Sequence, residues 1–163
     1  MPSFIGWVPT DPEFIGGFFE LAPVSSSDVV YDLGCGDGRL LFTAIEKGAG
    51  RAVGIDIDPV RVHASKEEAK KKGMEDKVSF VEADVMQADL SEATLIFCYL
   101  LTTASAVLGP KFEKELKPGT RVVMESFPVP GWKPVRTYEI DHGIGYRSFY
   151  LYVMPPQRDE KPS

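Results

Sequence analysis

Apolar residues along this chain follow two alternating rhythms. Short, nearly continuous apolar runs recur at 29–34 (VVYDLG), 51–57 (RAVGIDI), 77–84 (KVSFVEAD), 93–101 (ATLIFCYLL) and 121–127 (RVVMESF). Runs of this kind, bounded by turn residues, read as buried strands. Between them, residues 39–47, 59–72 and 104–116 carry helical patterns. A further short helix is expected in DPEFIGGFFELAPV, where Phe14, Phe18 and Leu21 fall at helical spacing and Pro12 suits a first turn, in spite of the Gly16-Gly17 pair. Strands alternating with helices imply parallel strands joined by right-handed crossovers, so the fold class is α/β with a Rossmann-like, doubly wound, mostly parallel sheet.

The last part of the chain departs from that rhythm. VRTYEI and YRSFYLYVM are strand-like and separated only by DHGIG, too short for a crossover helix, so they are expected to pair as an antiparallel hairpin that closes the sheet. VPGWKP before them reads as a loop. One domain over residues 1–155 and a frayed polar tail over 156–163 complete the expectation.

Composition narrows the function classes. At 163 residues, 44% apolar and 26% charged, the chain is a single globular domain, without room for separate cofactor and substrate domains. Cys35 and Cys98 are the only cysteines, which gives neither a disulfide framework nor zinc spacing and makes the reducing cytoplasm the default location. The net charge of −6 has the wrong sign for gripping a phosphate backbone, so nucleic acid is not the expected partner. Asp11, Glu13, Glu20, Asp28, Asp32 and Asp37 all precede the first basic residue, Arg39, which also argues against a targeting peptide. Residues 93–110 carry no charge, yet their threonines and β-rich LIFCYLL read as a buried strand leading into a helix rather than a membrane span.

Candidate chemistry collects at the carboxyl ends of the strands. Gly34, Gly36 and Gly38 alternate directly after the first parallel strand and before a helix, where open α/β sheets bind ligands and helix N–H groups face an anion. A dinucleotide fingerprint requires glycine where Arg39 stands, and a triphosphate loop requires a GK[ST] ending; neither is present, which leaves a carboxylate as a candidate anion. Asp56 ends the second strand, 22 residues after Gly34, where a carboxylate can accept from both hydroxyls of a ribose. Asp84 ends the third strand, within reach of an adenine amino group. Either acid alone also reads as a helix cap, and Asp58, before Pro59, reads as the cap itself.

VYDLGCGDGRL, GIDIDP and EADV together resemble the cofactor motifs of class I S-adenosylmethionine-dependent methyltransferases. The resemblance implies that Gly34, Gly36 and Gly38 hold the methionine portion of S-adenosyl-L-methionine, Asp32 lies near its ammonium, Asp56 holds the ribose, Asp84 addresses the adenine, and Ile57 and Val85 sandwich the adenine ring. GWVPT, DLSEATLIFCYLL and FEKELKPGTRVV are further similar to a compact archaeal and bacterial family of protein lysine methyltransferases, related to the mitochondrial enzymes that modify the ATP synthase c-subunit and the adenine nucleotide translocase. That likeness covers roughly residues 5 to 153 and adds Pro9 and Thr10 to the cofactor set. No Asn-Pro-Pro-Tyr or Asp-Pro-Pro-Tyr follows the fourth strand, which weighs against methylation of base amino groups. Family members often carry Ser-His after the fifth strand, where this chain has Met124-Glu125, so no role for that histidine transfers.

The implied acceptor is an exposed lysine of a protein. Phe97 and Tyr99 share one side of the fourth strand, so they, or the backbone near Cys98, are expected to line a lysine channel; the alternative is that the rings are core. Glu125 either attracts the incoming ammonium or is a polar strand end, and Trp132 either flanks the entrance or covers an apolar patch. His63 and His142 have no metal-ligand partners at suitable spacing, so no metal is expected. A monomer without membrane attachment completes the reading. Its rivals are a small-molecule amine methyltransferase and a non-catalytic cofactor-binding module.

Overall fold

The computed structural model describes residues 12–98, 104–141 and 146–159. In chain order the elements are α1 (Pro12–Leu21), β1 (Val29–Leu33), α2 (Arg39–Glu46), β2 (Arg51–Asp56), α3 (Pro59–Lys71), β3 (Val78–Glu82), β4 (Leu95–Cys98), α4 (Ala104–Glu115), β5 (Arg121–Glu125), β6 (Trp132–Lys133), β7 (Arg136–Asp141), β8 (Tyr146–Val153) and β9 (Gln157–Arg158). Seven strands form one sheet in the order β3-β2-β1-β4-β5-β8-β7. The first five run parallel, and β8 enters antiparallel beside β5 with β7 outside it. The expected α/β sheet closed by an antiparallel hairpin is therefore present. Strand order reverses between β1 and β4, and that switch point opens the crevice in which such sheets bind ligands.

Each face of the sheet carries its own core. Leu95, Phe97, Val123 and Phe149 pack under α1 and α2, whereas Leu33, Ile96, Val122 and Tyr152 pack under α4 and the segment before β4. Gly17 in α1 has a packing reason, because a Cβ there would stand 2.7 Å from side-chain atoms of both Ile140 and Tyr138, whereas Gly16 faces open space. The missing Cβ of Gly17 lets α1 lie directly on β7. At the opposite end from the crevice, Asp28 ties three strands together: it accepts from Thr94 Oγ1 at 2.7 Å and Arg121 Nη2 at 3.2 Å, and from the Ser25 N–H at 2.8 Å.

Of the two readings of Trp132, the structure takes the packing one: the ring is 3% exposed, packs edge-on against Tyr152 and donates its indole N–H to Glu113 at 3.3 Å. One expectation for the C-terminal region needs correction: the tail is not frayed from residue 156, because Gln157 and Arg158 pair with Lys133 and Trp132 as a second small sheet, and Arg158 forms an ion pair with Glu113. The uncharged 93–110 stretch contributes β4 and the start of α4, and among the described residues no helix is long and apolar enough to cross a membrane.

Candidate functional site

The glycine loop is built from backbone that L side chains rarely adopt. Gly34, Gly36 and Gly38 have φ of 80°, 59° and 80°, which explains glycine at every second position. Gly38 is the residue preceding α2, and a Cβ there would meet the Phe80 ring at 2.8 Å. Gly54 on β2 leaves space for Cys35 Sγ and Leu41, drawing the loop and α2 down on the sheet. Gly38 brings no side-chain cap to α2; the Arg39 N–H goes to Asp37 Oδ1 at 3.1 Å, and the positive end of the helix stays directed at the crevice, as an anion site requires.

Three acids stand along this edge in three different states. Asp32 is 4% exposed, and its Oδ1 receives no hydrogen bond. Burial, reinforced by the charges of Asp56 and Asp37, raises its pKa to about 8. A buried carboxylate in this condition calls for a cation. Asp56, 3% exposed, is by contrast fully engaged: it accepts from the N–H groups of Gly36 and Asp58 and from a two-pronged Arg61 guanidinium. Asp84 is exposed and accepts the Met86 N–H at 2.9 Å in a turn, and because no helix stands between β3 and β4 it is not a helix cap. Asp58 caps α3 through the Val60 N–H at 2.9 Å, as the sequence implied.

A cleft of about 170 Å³ gathers Gly34, Ile55, Asp56, Ile57, Arg61, Ala83, Asp84 and Val85. Five of the residues read as cofactor ligands from the sequence thus meet in one place. Ile57 is 67% exposed at the end of β2, an apolar side chain left in solvent for no reason internal to the fold. An adenine ring laid between Ile57 and Val85 would cover it. A larger groove of about 830 Å³ lies between α2 and α3, but it holds none of Asp32, Asp56 and Asp84 and so is a different feature. Pro9, Thr10 and Tyr99 lie outside the described residues, as does His142. His63 lies on the exposed side of α3, and among the described residues no group of His, Cys, Asp and Glu could hold a metal.

On the acceptor side the geometry is more selective. Phe97 is 1% exposed and packs edge-on against Phe18, with ring centroids 4.6 Å apart. Its ring belongs to the core under α1, the alternative that the sequence left open, and does not form an open wall. Cys98 is buried on the opposite face, and burial with the Asp32 and Glu125 charges raises its thiol pKa, so it is no nucleophile. Sequence reading missed the partner of Glu125. That carboxylate is 2% exposed, lies 3.0 Å from Arg147 Nε as an ion pair, and accepts the Ser126 hydroxyl at 2.7 Å. Arg147 in turn covers the Phe14 ring at 4.3 Å. Burial raises the Glu125 pKa, against the lowering effects of Ser126 and Arg147. Ser126 itself has φ 69°, a strained conformation for a non-glycine residue directly beyond the strand end. Asp32, Phe97 and Glu125 share one face of adjacent strands β1, β4 and β5, which alternation along each strand could have shown.

The residues present fit S-adenosylmethionine. The uncompensated Asp32 oxygen suits an ammonium, the N-terminal end of α2 at the glycine loop suits a carboxylate, Asp56 suits a ribose diol, and Ile57 with Val85 and Asp84 suits adenine. Comparison with known proteins agrees. Residues 32–136 match the family model described as the ANTKMT methyltransferase domain. A protein-lysine N-methyltransferase of Saccharolobus islandicus is 40% identical over 151 residues, 92% of this chain and 94% of that protein. The adenine nucleotide translocase lysine N-methyltransferase of Mus musculus is 32% identical over 104 residues, 64% of this chain but 45% of the mouse protein. A solved structure from Salinibacter ruber, described as an RNA methyltransferase in complex with S-adenosyl-L-homocysteine, superposes with a TM-score of 0.86 at 38% identity, covering 94% of this chain and 98% of that one. With its cofactor motifs assembled at the switch point and the family model spanning residues 32–136, the chain belongs to the ANTKMT methyltransferase domain family and uses S-adenosylmethionine as cofactor.

Proposed function

We propose that this protein transfers methyl groups to the ε-amino groups of exposed lysines on many proteins. The observation that carries this reading is the 40% identity to a protein-lysine N-methyltransferase across nearly the whole of both chains. Bound S-adenosylmethionine supplies an activated methyl on a sulfonium. The chain's own residues have two tasks, to hold that group and to admit a neutral amine. A free lysine has a pKa of about 10.4, so an acceptor must shed its proton. Desolvation at the edge of β4 and β5 favours that loss.

The Salinibacter structure bears an RNA-methylating description, which makes RNA the rival acceptor. The net charge of −6 weighs against it. Cytoplasmic location and a monomeric state belong to the same proposal. Incubation with radiolabelled cofactor and cell extract, followed by separation of protein, RNA and small molecules, is the test. Methyl-lysine on protein hydrolysis is the expected product. Label confined to RNA or to small amines would refute the assignment, and cofactor binding without transfer to any fraction would identify a binding module.

A further inference from the structure

Asp56 is placed to hold a ribose diol, yet its acceptor capacity is already used. A carboxylate offers about four lone-pair directions on two oxygens. Oδ1 accepts from the Asp58 N–H at 2.9 Å and from Arg61 Nη2 at 3.0 Å, and Oδ2 accepts from the Gly36 N–H at 3.2 Å and from Arg61 Nε at 3.1 Å. The two backbone donors belong to the loop and the start of α3, and are fixed by the fold. Arg61 is the exchangeable pair. Its side chain is 22% exposed, lines the cleft, and already touches a second carboxylate, Asp58 Oδ2, at 3.1 Å. The cleft of about 170 Å³ is also smaller than the roughly 300 Å³ at which small-molecule sites usually begin.

We propose that Arg61 is a self-ligand of the ribose site: in the cofactor-free protein its guanidinium occupies the two acceptor positions on Asp56 that the ribose hydroxyls take, and binding of a ribose moves it on to Asp58. The fork geometry of arginine mimics two parallel donors at the spacing of a diol, which a lysine cannot do. Arg61 thereby keeps a nearly fully buried carboxylate compensated between turnovers, and it lowers affinity for every ligand that carries the diol. The inference rests on the cofactor site alone, so it stands or falls independently of which acceptor is methylated.

The test is binding, measured by calorimetry or by displacement, of S-adenosylhomocysteine, adenosine and 2′,3′-dideoxyadenosine. None of these carries the sulfonium charge, so loss of a nearby cation does not itself change their affinity through that charge. Arg61→Met should tighten S-adenosylhomocysteine and adenosine by about five- to tenfold, the size of a charge-assisted hydrogen-bond exchange, and leave the dideoxy compound unchanged. Equal tightening of all three ligands, no change, or weaker binding of the diol ligands would overturn the proposal. Asp58→Asn supplies the second arm, since asparagine still caps α3 but offers no charge to the displaced guanidinium. Diol ligands should bind a few-fold more weakly to Asp58→Asn, and the substitution should have no effect when added to Arg61→Met. The same loss in both backgrounds would mean that Asp58 acts on the ligand directly, and would refute the exchange.

Discussion

Asp32 makes cofactor binding a proton-linked event. In the unfolded chain its carboxyl titrates near 3.8; in the folded protein burial, with Asp56 and Asp37 behind it, moves that to about 8. At pH 7 the folded, cofactor-free protein therefore holds about 0.9 of a proton on Asp32. An ammonium brought to the unpaired Oδ1 favours the carboxylate, so binding releases that proton. Each pH unit below 8 costs about 1.4 kcal/mol, or tenfold in affinity, as the carboxylate must be re-formed. Above pH 8 an α-amino group, which titrates near 8, loses its own proton and affinity falls again. Affinity should thus peak near pH 8 with limbs approaching tenfold per unit. Calorimetry at pH 7 in two buffers of contrasting ionisation enthalpy should show nearly one proton released in wild type and none in Asp32→Asn. Folding gives a second reading of the same shift. Because the folded pKa is raised, the folded protein takes up a proton between pH 4 and 8 and stability declines with rising pH across that window. Asp32→Asn should therefore stabilise the cofactor-free protein, with a ceiling on the order of 4 kcal/mol at pH 7. Proton uptake, or no exchange in wild type, would show that the cofactor's ammonium does not sit at Asp32.

Other expectations follow from the same geometry. Asp56→Ala should weaken S-adenosylmethionine binding by about 2–4 kcal/mol, read by calorimetry, even with Arg61 in place. Gly38→Ala should cost about 1–3 kcal/mol in chemical denaturation, because it combines a left-handed backbone with a methyl 2.8 Å from the Phe80 ring, and should also reduce cofactor affinity. Asp28→Ala should lower stability by about 1–3 kcal/mol while leaving cofactor affinity unchanged, since Asp28 staples the far end of the sheet. Burial pushes the Asp28 pKa up, but Thr94, the Ser25 N–H and Arg121 outweigh it and hold the pKa below 3.8. Its stabilisation is accordingly full above pH 4 and lost only as pH falls through that lowered value, a loss that should be absent from the acid denaturation of Asp28→Ala. Glu125→Gln should leave cofactor binding intact and change the Michaelis constant for lysine-bearing substrates, because Glu125 lies at the end of β5 and away from the adenosine cleft.

The two halves of the site differed in how far they could be read from the sequence, and the difference is physical. The cofactor half depends on local chemistry. Three positive-φ positions demand glycine at 34, 36 and 38, and acids that end β1, β2 and β3 fall within a few residues of the strands that carry them. Such constraints leave marks at fixed short spacings, and one strand alternation suffices to place them on an edge. The hairpin was equally legible, because five residues cannot form a crossover. What the pattern concealed were contacts between distant segments. β9 pairs with β6 and brings Arg158 to Glu113 on α4, and Arg121 of β5 reaches back to Asp28 before β1.

The acceptor half is made almost wholly of such distant contacts. Glu125 on β5 is held by Arg147 on β8, and Arg147 is held against Phe14 on α1, so one ion pair and one ring join three separate parts of the chain. No short motif encodes that arrangement, and Met124-Glu125 read alone looks like a polar strand end. Phe97 illustrates the complementary case. Strand periodicity correctly gave its face, the face of Asp32 and Glu125, but periodicity cannot say whether a ring on that face meets a ligand or another ring. Phe18, contributed by α1, decides the matter by filling the space above it. The acceptor region therefore takes its shape from how α1 lies on the sheet, where Gly17 leaves space for the Ile140 and Tyr138 side chains of β7. Gly17, which looked like a flaw in a helical pattern, is thus a local feature of the α1–β7 contact beside which Phe18 meets Phe97.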